Sequence, residues 1–169
     1  MKITTLALIS IATSATVTIP VTAHAEPAPP CSNGQVQVSN SDEGRGLGHR
    51  SVTLKFSLAP GATACTLTGY PGVDSGAGGP LVHAERTLAG YMGGLRGTDT
   101  APTITVSQSQ PAYAMVEGVA VDADDPYRLC PTYTELLVTP PDTTETFTVS
   151  IHDHFDTCPL WVHPVVSEI

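Results

Sequence analysis

Residues 51–58 read SVTLKFSL. Val52, Leu54, Phe56 and Leu58 alternate with Ser51, Thr53, Lys55 and Ser57, a strict period of two. That period turns the four apolar side chains to one face of a strand and the four polar ones to the other. The same texture recurs on both sides of this segment. Val36 and Val38 alternate in GQVQVS, Cys65 and Leu67 in ATACTLT, and Phe147, Val149 and Ile151 in TFTVSI. TITVS (103–107), AYAMVEGVAV (112–121), YTELLVT (133–139) and LWVHPVV (160–166) also read as extended, and Pro140-Pro141 ends the third of these. Turn signals separate the segments at intervals of about 8–12 residues. The expectation is an all-β chain of about eight or nine strands forming an antiparallel, immunoglobulin-like β-sandwich.

The connections are expected to be irregular. NSDEGRGLGHR (40–50) reads as a polar, glycine-rich loop, DSGAGGP (74–80) as a hairpin connection and DADDPYR (122–128) as an acidic loop. HAERTLAGYM (83–92) suits a short helix or an irregular edge, and GGLRGTDTAP (93–102) suits no regular element. In Tyr70-Pro71-Gly72, Pro would set φ and Gly would accept a positive φ, which predicts a turn.

The amino-terminal residues predict export. Lys2 precedes an apolar stretch over residues 6–21, and Ala23-His24-Ala25 has the small-x-small form of a signal peptidase site. Residues 1–25 are therefore read as a signal peptide, EPAPP (26–30) as a proline-rich spacer and residues 31–169 as one domain. A lipid anchor is not expected, because Cys31 follows Pro29-Pro30 and not a small residue. No later stretch is long and apolar enough for a membrane span. The expected location is secreted, with retention at the cell envelope as a variant of it.

Formal net charge is −9. Beyond the leader the basic residues are Arg45, Arg50, Lys55, Arg86, Arg96 and Arg128, which form no cluster. A chain of this kind cannot neutralise a row of phosphates, so nucleic acid and anionic lipid are poor partners. The four cysteines, Cys31, Cys65, Cys130 and Cys158, make an even set in an exported chain, which reads as two disulfides. Three pairings are open. Cys31–Cys65 with Cys130–Cys158 is preferred, since each bond then ties neighbouring segments. Either loop would contribute about 3–4 kcal/mol through chain entropy. No C-x-x-C spacing suggests structural zinc.

Candidates for chemistry are few. VDSGAGGP (73–80) resembles the G-D-S-G-G-P of serine proteases, but it lacks the first glycine and carries an extra Gly-Ala pair that would displace the oxyanion donors. Ser75 is therefore read as part of a hairpin. His152 and His154 share a strand face by their spacing, and with His163 nearby they could form a zinc or copper site. Asp122, Asp124 and Asp125 lack the spacing of a calcium loop. Trp161 and Tyr70 are expected as core or corner aromatics beside buried cysteines. Tyr91 and Met92 are candidates for an exposed binding patch.

Three segments together resemble the actinobacterial secreted family known as domain of unknown function 4232. One is CTLTGYPGV (65–73) after an alternating strand. Another runs from Cys130-Pro131 through ELLVTPPD (135–142), and the last is Cys158 followed by LWVHPV. Cys31 stands where that family places its first cysteine, and the resemblance covers residues 31–166. It implies a secreted or lipid-anchored β-sandwich with no established activity and no catalytic residues to carry over. SQSQPAYAMV (107–116) departs from the family's Pro-Gly turn, and the segment from Asp74 to Pro102 is longer and richer in glycine. Such a loop on a rigid scaffold is where recognition would be added. The functional expectation is a binding or structural module, not an enzyme and without a cofactor, whose partner is an envelope or extracellular protein or glycan. The alternative is a metal-binding protein using His152, His154 and His163.

Overall fold

The alternation at residues 51–58 becomes an interior strand of the largest sheet. The computed structural model describes residues 26–169; the predicted leader, residues 1–25, lies outside them. In chain order the strands are β1 (Val36–Gly46), β2 (His49–Leu58), β3 (Cys65–Thr68), β4 (Gly72–Ser75) and β5 (Glu85–Arg86). They continue with β6 (Thr103–Val106), β7 (Ala112–Val119), β8 (Thr132–Thr139), β9 (Phe147–Asp156) and β10 (Leu160–Val162). The described residues contain no helix, so HAERTLAGYM takes the irregular-edge alternative, with β5 as a two-residue edge.

Three sheets share the chain. One has the order β1-β2-β7-β10-β5, another β4-β8-β9, and β3 pairs with β6. All strand pairs are antiparallel except β5 with β10, which is parallel. The inward chains of β2 (Val52, Leu54, Phe56) meet Leu67 of β3, Val106 of β6, Ala114 and Val116 of β7, Leu136 and Val138 of β8 and Phe155 of β9 in one core. Each large apolar side chain taken from water there contributes about 1.5–3 kcal/mol. Tyr133 lies wholly inside the core, and its hydroxyl donates to the Pro80 carbonyl at 2.8 Å.

Both disulfides form in the preferred pairing, Cys31–Cys65 and Cys130–Cys158. They fit an extracellular location, and no helix among the described residues is long and apolar enough to cross a membrane.

Several local expectations are corrected. Residues 40–50 are not a loop: β1 runs to Gly46 and β2 starts at His49, joined by a two-residue turn. Leu47 (φ 49°) and Gly48 (φ 85°) both have positive φ, as a type I′ turn requires. The polarity that suggested a loop belongs to an edge strand. Near Tyr70 the positive φ falls on Gly69 (87°), and Gly72 begins β4. The spacer also joins the fold at its end, because the Pro29 carbonyl accepts Thr66 N–H at 2.8 Å and Cys31 N–H donates to the Thr66 carbonyl at 2.9 Å.

β1 and β9 meet at a corner without a hydrogen-bonded ladder. Between Tyr133↔Phe155 and Glu135↔Ser150, only Thr134 of β8 faces residues 151–154 of β9, so β9 bulges outward. The Glu43 carboxylate of β1 accepts the His152 N–H at 2.8 Å and the Asp153 N–H at 2.6 Å from this bulge. Arg45 pairs with Asp153 beside them.

Candidate functional site

The polar face of β2 is not open to water. Ser51 and Thr53, expected outside by alternation, are buried. A strap over residues 87–97 crosses the outer face of β2 and β7, and the Met92 methyl lies over Gly44, where a Cβ would come within 3.2 Å of it. Met92 thus turns toward the sheet and not into an exposed patch, while Tyr91 beside it stays 55% exposed.

Glycine makes that close approach feasible. A Cβ on Gly90 would stand 2.0 Å from Glu117 Oε2, and one on Gly93 2.5 Å from the Met115 sulfur. A side chain at Gly90 would press on the Glu117 carboxylate, and one at Gly93 would displace the Met115 thioether.

Glu117 of β7 holds the strap. It faces Ser51 of β2 and Trp161 of β10 in register and is 2% exposed. Its Oε1 accepts from His49 Nδ1 at 2.7 Å and from Tyr91 N–H at 3.1 Å. Its Oε2 meets His163 Nε2 at 3.2 Å and accepts Met92 N–H at 3.2 Å. A carboxylate has about four acceptor positions, and all four are taken. Without such partners a carboxylate this deep would be strongly disfavoured.

His163 is 1% exposed, and both its ring nitrogens face acceptors. Nδ1 lies 3.0 Å from the Thr87 carbonyl, which can only accept, so Nδ1 carries a proton. Its Nε2 faces Glu117 Oε2 at 3.2 Å.

His49 is oriented by the same acid. Its ring stacks on Tyr91, with centroids 4.2 Å apart and planes 19° apart. With Nδ1–H donated to Glu117, Nε2 presents a lone pair, and this nitrogen has no hydrogen-bond partner among the described residues. His49, Tyr91, Trp161, Gly90 and Glu117 line a cleft of about 190 Å3. Trp161 is therefore a cleft wall, half-buried, and not a core aromatic.

The rim of this end is unusually apolar. Ala120 N–H donates to the Gly48 carbonyl at 2.8 Å, tying the hairpin tip to the loop after β7. Val121 bridges to Leu129, and Cys130–Cys158 closes the loop. Leu47 (87%), Tyr127 (94%) and Leu129 (92%) stand almost fully exposed on these braced turns. The nearby arginines are paired: Arg128 with Asp122, Arg50 with Asp156 and Arg45 with Asp153. Asp122 and Asp125 also accept backbone N–H groups of their own loop, from Asp124 and Tyr127.

The predicted histidine set does not converge. His152 and His154 are exposed on the bulge of β9, where His152 Nδ1 lies 3.4 Å from Glu43, while His163 is buried against Glu117 on another sheet. No group of three or more metal-ligating side chains forms among the described residues. Ser75 ends β4 inside the fold; its hydroxyl donates to the Pro80 carbonyl at 3.1 Å and accepts the Val82 N–H at 2.8 Å. That is a hairpin closure. Tyr70 is half-buried.

Glu117 and His49 were missed by pattern reading. The available signal was one acid inside the apolar run AYAMVEGVAV, since a charge in a buried strand requires partners.

A model of the family described as Domain of unknown function (DUF4232) matches residues 31–166. No curated protein and no solved structure matches the chain.

Proposed function

Since the chain belongs to the DUF4232 family, whose function is not established, we propose that it is an exported, non-enzymatic binding module on an immunoglobulin-like sandwich. Recognition occurs at the end of the sheet that carries the strap and its cleft, the Leu47-Gly48 turn and the loop closed by Cys130–Cys158. The observation that carries this reading is the exposure of Leu47, Tyr127 and Leu129 on turns held rigid by a disulfide and by backbone hydrogen bonds. Braced apolar side chains beside a cleft are the composition of a contact surface, which gains affinity because little ordering remains to be done on binding.

Binding is favoured over catalysis by the state of Glu117. Every lone-pair position of this acid is engaged, so it acts as an anchor and is not free to move a proton to a substrate. Arg45, Arg50 and Arg128 are neutralised by their aspartates and the chain is acidic, so the partner presents a neutral or basic surface. Envelope or extracellular molecules are the expected partners, in keeping with the export signal over residues 1–25.

The test is capture from cell-envelope fractions with an immobilised domain of residues 26–169. A Leu47→Ser/Tyr127→Ser/Leu129→Ser variant of unchanged thermal stability should lose the captured partner. Identical capture by both proteins overturns the reading.

A further inference from the structure

The cleft behind Tyr91 selects its ligand by charge and by hydrogen-bond polarity. We propose that it receives one neutral hydroxylated ring, a pyranose unit of a glycan; this deepens, and rests on, the assignment of that end as the recognition surface.

An anion is disfavoured. The floor of the cleft is the Glu117 carboxylate, and the group that His49 offers is the lone pair of Nε2, which accepts but does not donate. A cation finds no ion-pair partner either. The four acceptor positions of Glu117 are filled by His49, Tyr91 N–H, His163 and Met92 N–H. Arg96 also donates to the Gly90 carbonyl at 2.8 Å, which places a guanidinium against the backbone of the cleft wall. What remains is an uncharged hydrogen-bond donor.

Size and walls narrow the class further. A volume of about 190 Å3 is close to that of an engineered apolar cavity of about 150 Å3 that holds benzene, so one six-membered ring fits. Tyr91 and Trp161 supply aromatic surface for the C–H faces of such a ring, as large rigid side chains do at low entropic cost. A hydroxyl of the ring donates to His49 Nε2. Glu117 is a positioning residue in this scheme: by accepting the hydrogen bond of Nδ1–H it sets the tautomer that leaves Nε2 free to accept.

The experiment is a titration of the 15N-labelled domain of residues 26–169, followed by amide shifts. The probes are chitotriose, maltotriose, mannotriose and, separately, benzylamine. Co-sedimentation with insoluble cell-wall polysaccharide separates a polymer source from free sugar. The expected result is that at least one trisaccharide shifts signals of His49, Gly90, Tyr91 and Trp161. His49→Phe retains a ring to stack on Tyr91 but lacks the acceptor, and should weaken that binding about tenfold. Trp161→Ala, which removes a wall without removing a hydrogen bond to Glu117, serves as a second variant should His49→Phe fail to fold. If benzylamine binds at these residues and no trisaccharide does, the glycan inference falls and the recognition surface stands. If no probe shifts these signals, the inference also falls, and the capture experiment decides the broader reading alone. Sugar binding that His49→Phe leaves unchanged overturns the role of Nε2.

Discussion

The two disulfides close loops of similar size, with sequence separations of 34 and 28 residues, yet they serve opposite ends of the molecule. Cys31–Cys65 is buried in the common core, beside the first described residues and β3. Cys130–Cys158 is half-buried and holds a loop whose Tyr127 and Leu129 project into solvent. Chain entropy alone gives the two nearly the same value, about 3–4 kcal/mol each. Their surroundings differ: one bond is packed as core, and the other braces a surface that does not pack on its own molecule. Equal cross-links can thus do unequal work, and the inequality is measurable.

The largest effect is expected from removing the buried bond. Cys31→Ala/Cys65→Ala should cost about 4–5 kcal/mol by denaturant titration, the loop term plus lost core packing. The Cys130→Ala/Cys158→Ala pair should cost less, about 2–3 kcal/mol, while reducing partner capture far more. If the second pair proves the more destabilising, the contrast between core bond and surface brace is wrong.

Glu117→Ala falls between these two, at about 3–4 kcal/mol, because it strands His163 and two strap N–H groups in a buried place. Hydrogen exchange should then show the amides of Tyr91 and Met92 opening while those of β8 stay protected. Uniform loss of protection would mean that the strap is not a separable layer.

The smallest effect has the opposite sign. Leu47 adopts a left-handed conformation that costs a non-glycine residue about 1 kcal/mol. Leu47→Asn makes the turn Asn-Gly, the favoured type I′ sequence, and should stabilise the domain by about 0.5–1 kcal/mol while weakening capture. A stability gain with undiminished capture would remove Leu47 from the contact surface.

Much of the architecture was legible, and the reason is the period of two. Where one strand face is buried and the other wet, alternation states the register, as at Val52, Leu54 and Phe56. The same rule misplaced Ser51 and Thr53, because alternation cannot show that a later segment folds back over the polar face. It also misjudged residues 40–50, where the polar composition of an edge strand looks like that of a loop. The site was illegible for a related reason. His49, Tyr91, Glu117 and His163 lie far apart in sequence and meet only when the strap crosses β7. Gly90 and Gly93, which the sequence shows only as part of a glycine-rich segment, are the residues that let the strap lie close. The histidine pair at 152 and 154 had the spacing of ligands but sits on a bulge facing solvent, away from His163.

The corner where Glu43 receives the two amides of the β9 bulge has a consequence for how copies of this chain meet one another. β1 and β9 are each the border of their sheet, and an open border invites a strand from a neighbouring molecule. Here one carboxylate and the Arg45–Asp153 pair stitch the two borders together. A copy of the chain approaching this corner meets charge and a kink instead of a free ladder, so the two borders are poor templates for edge-to-edge pairing.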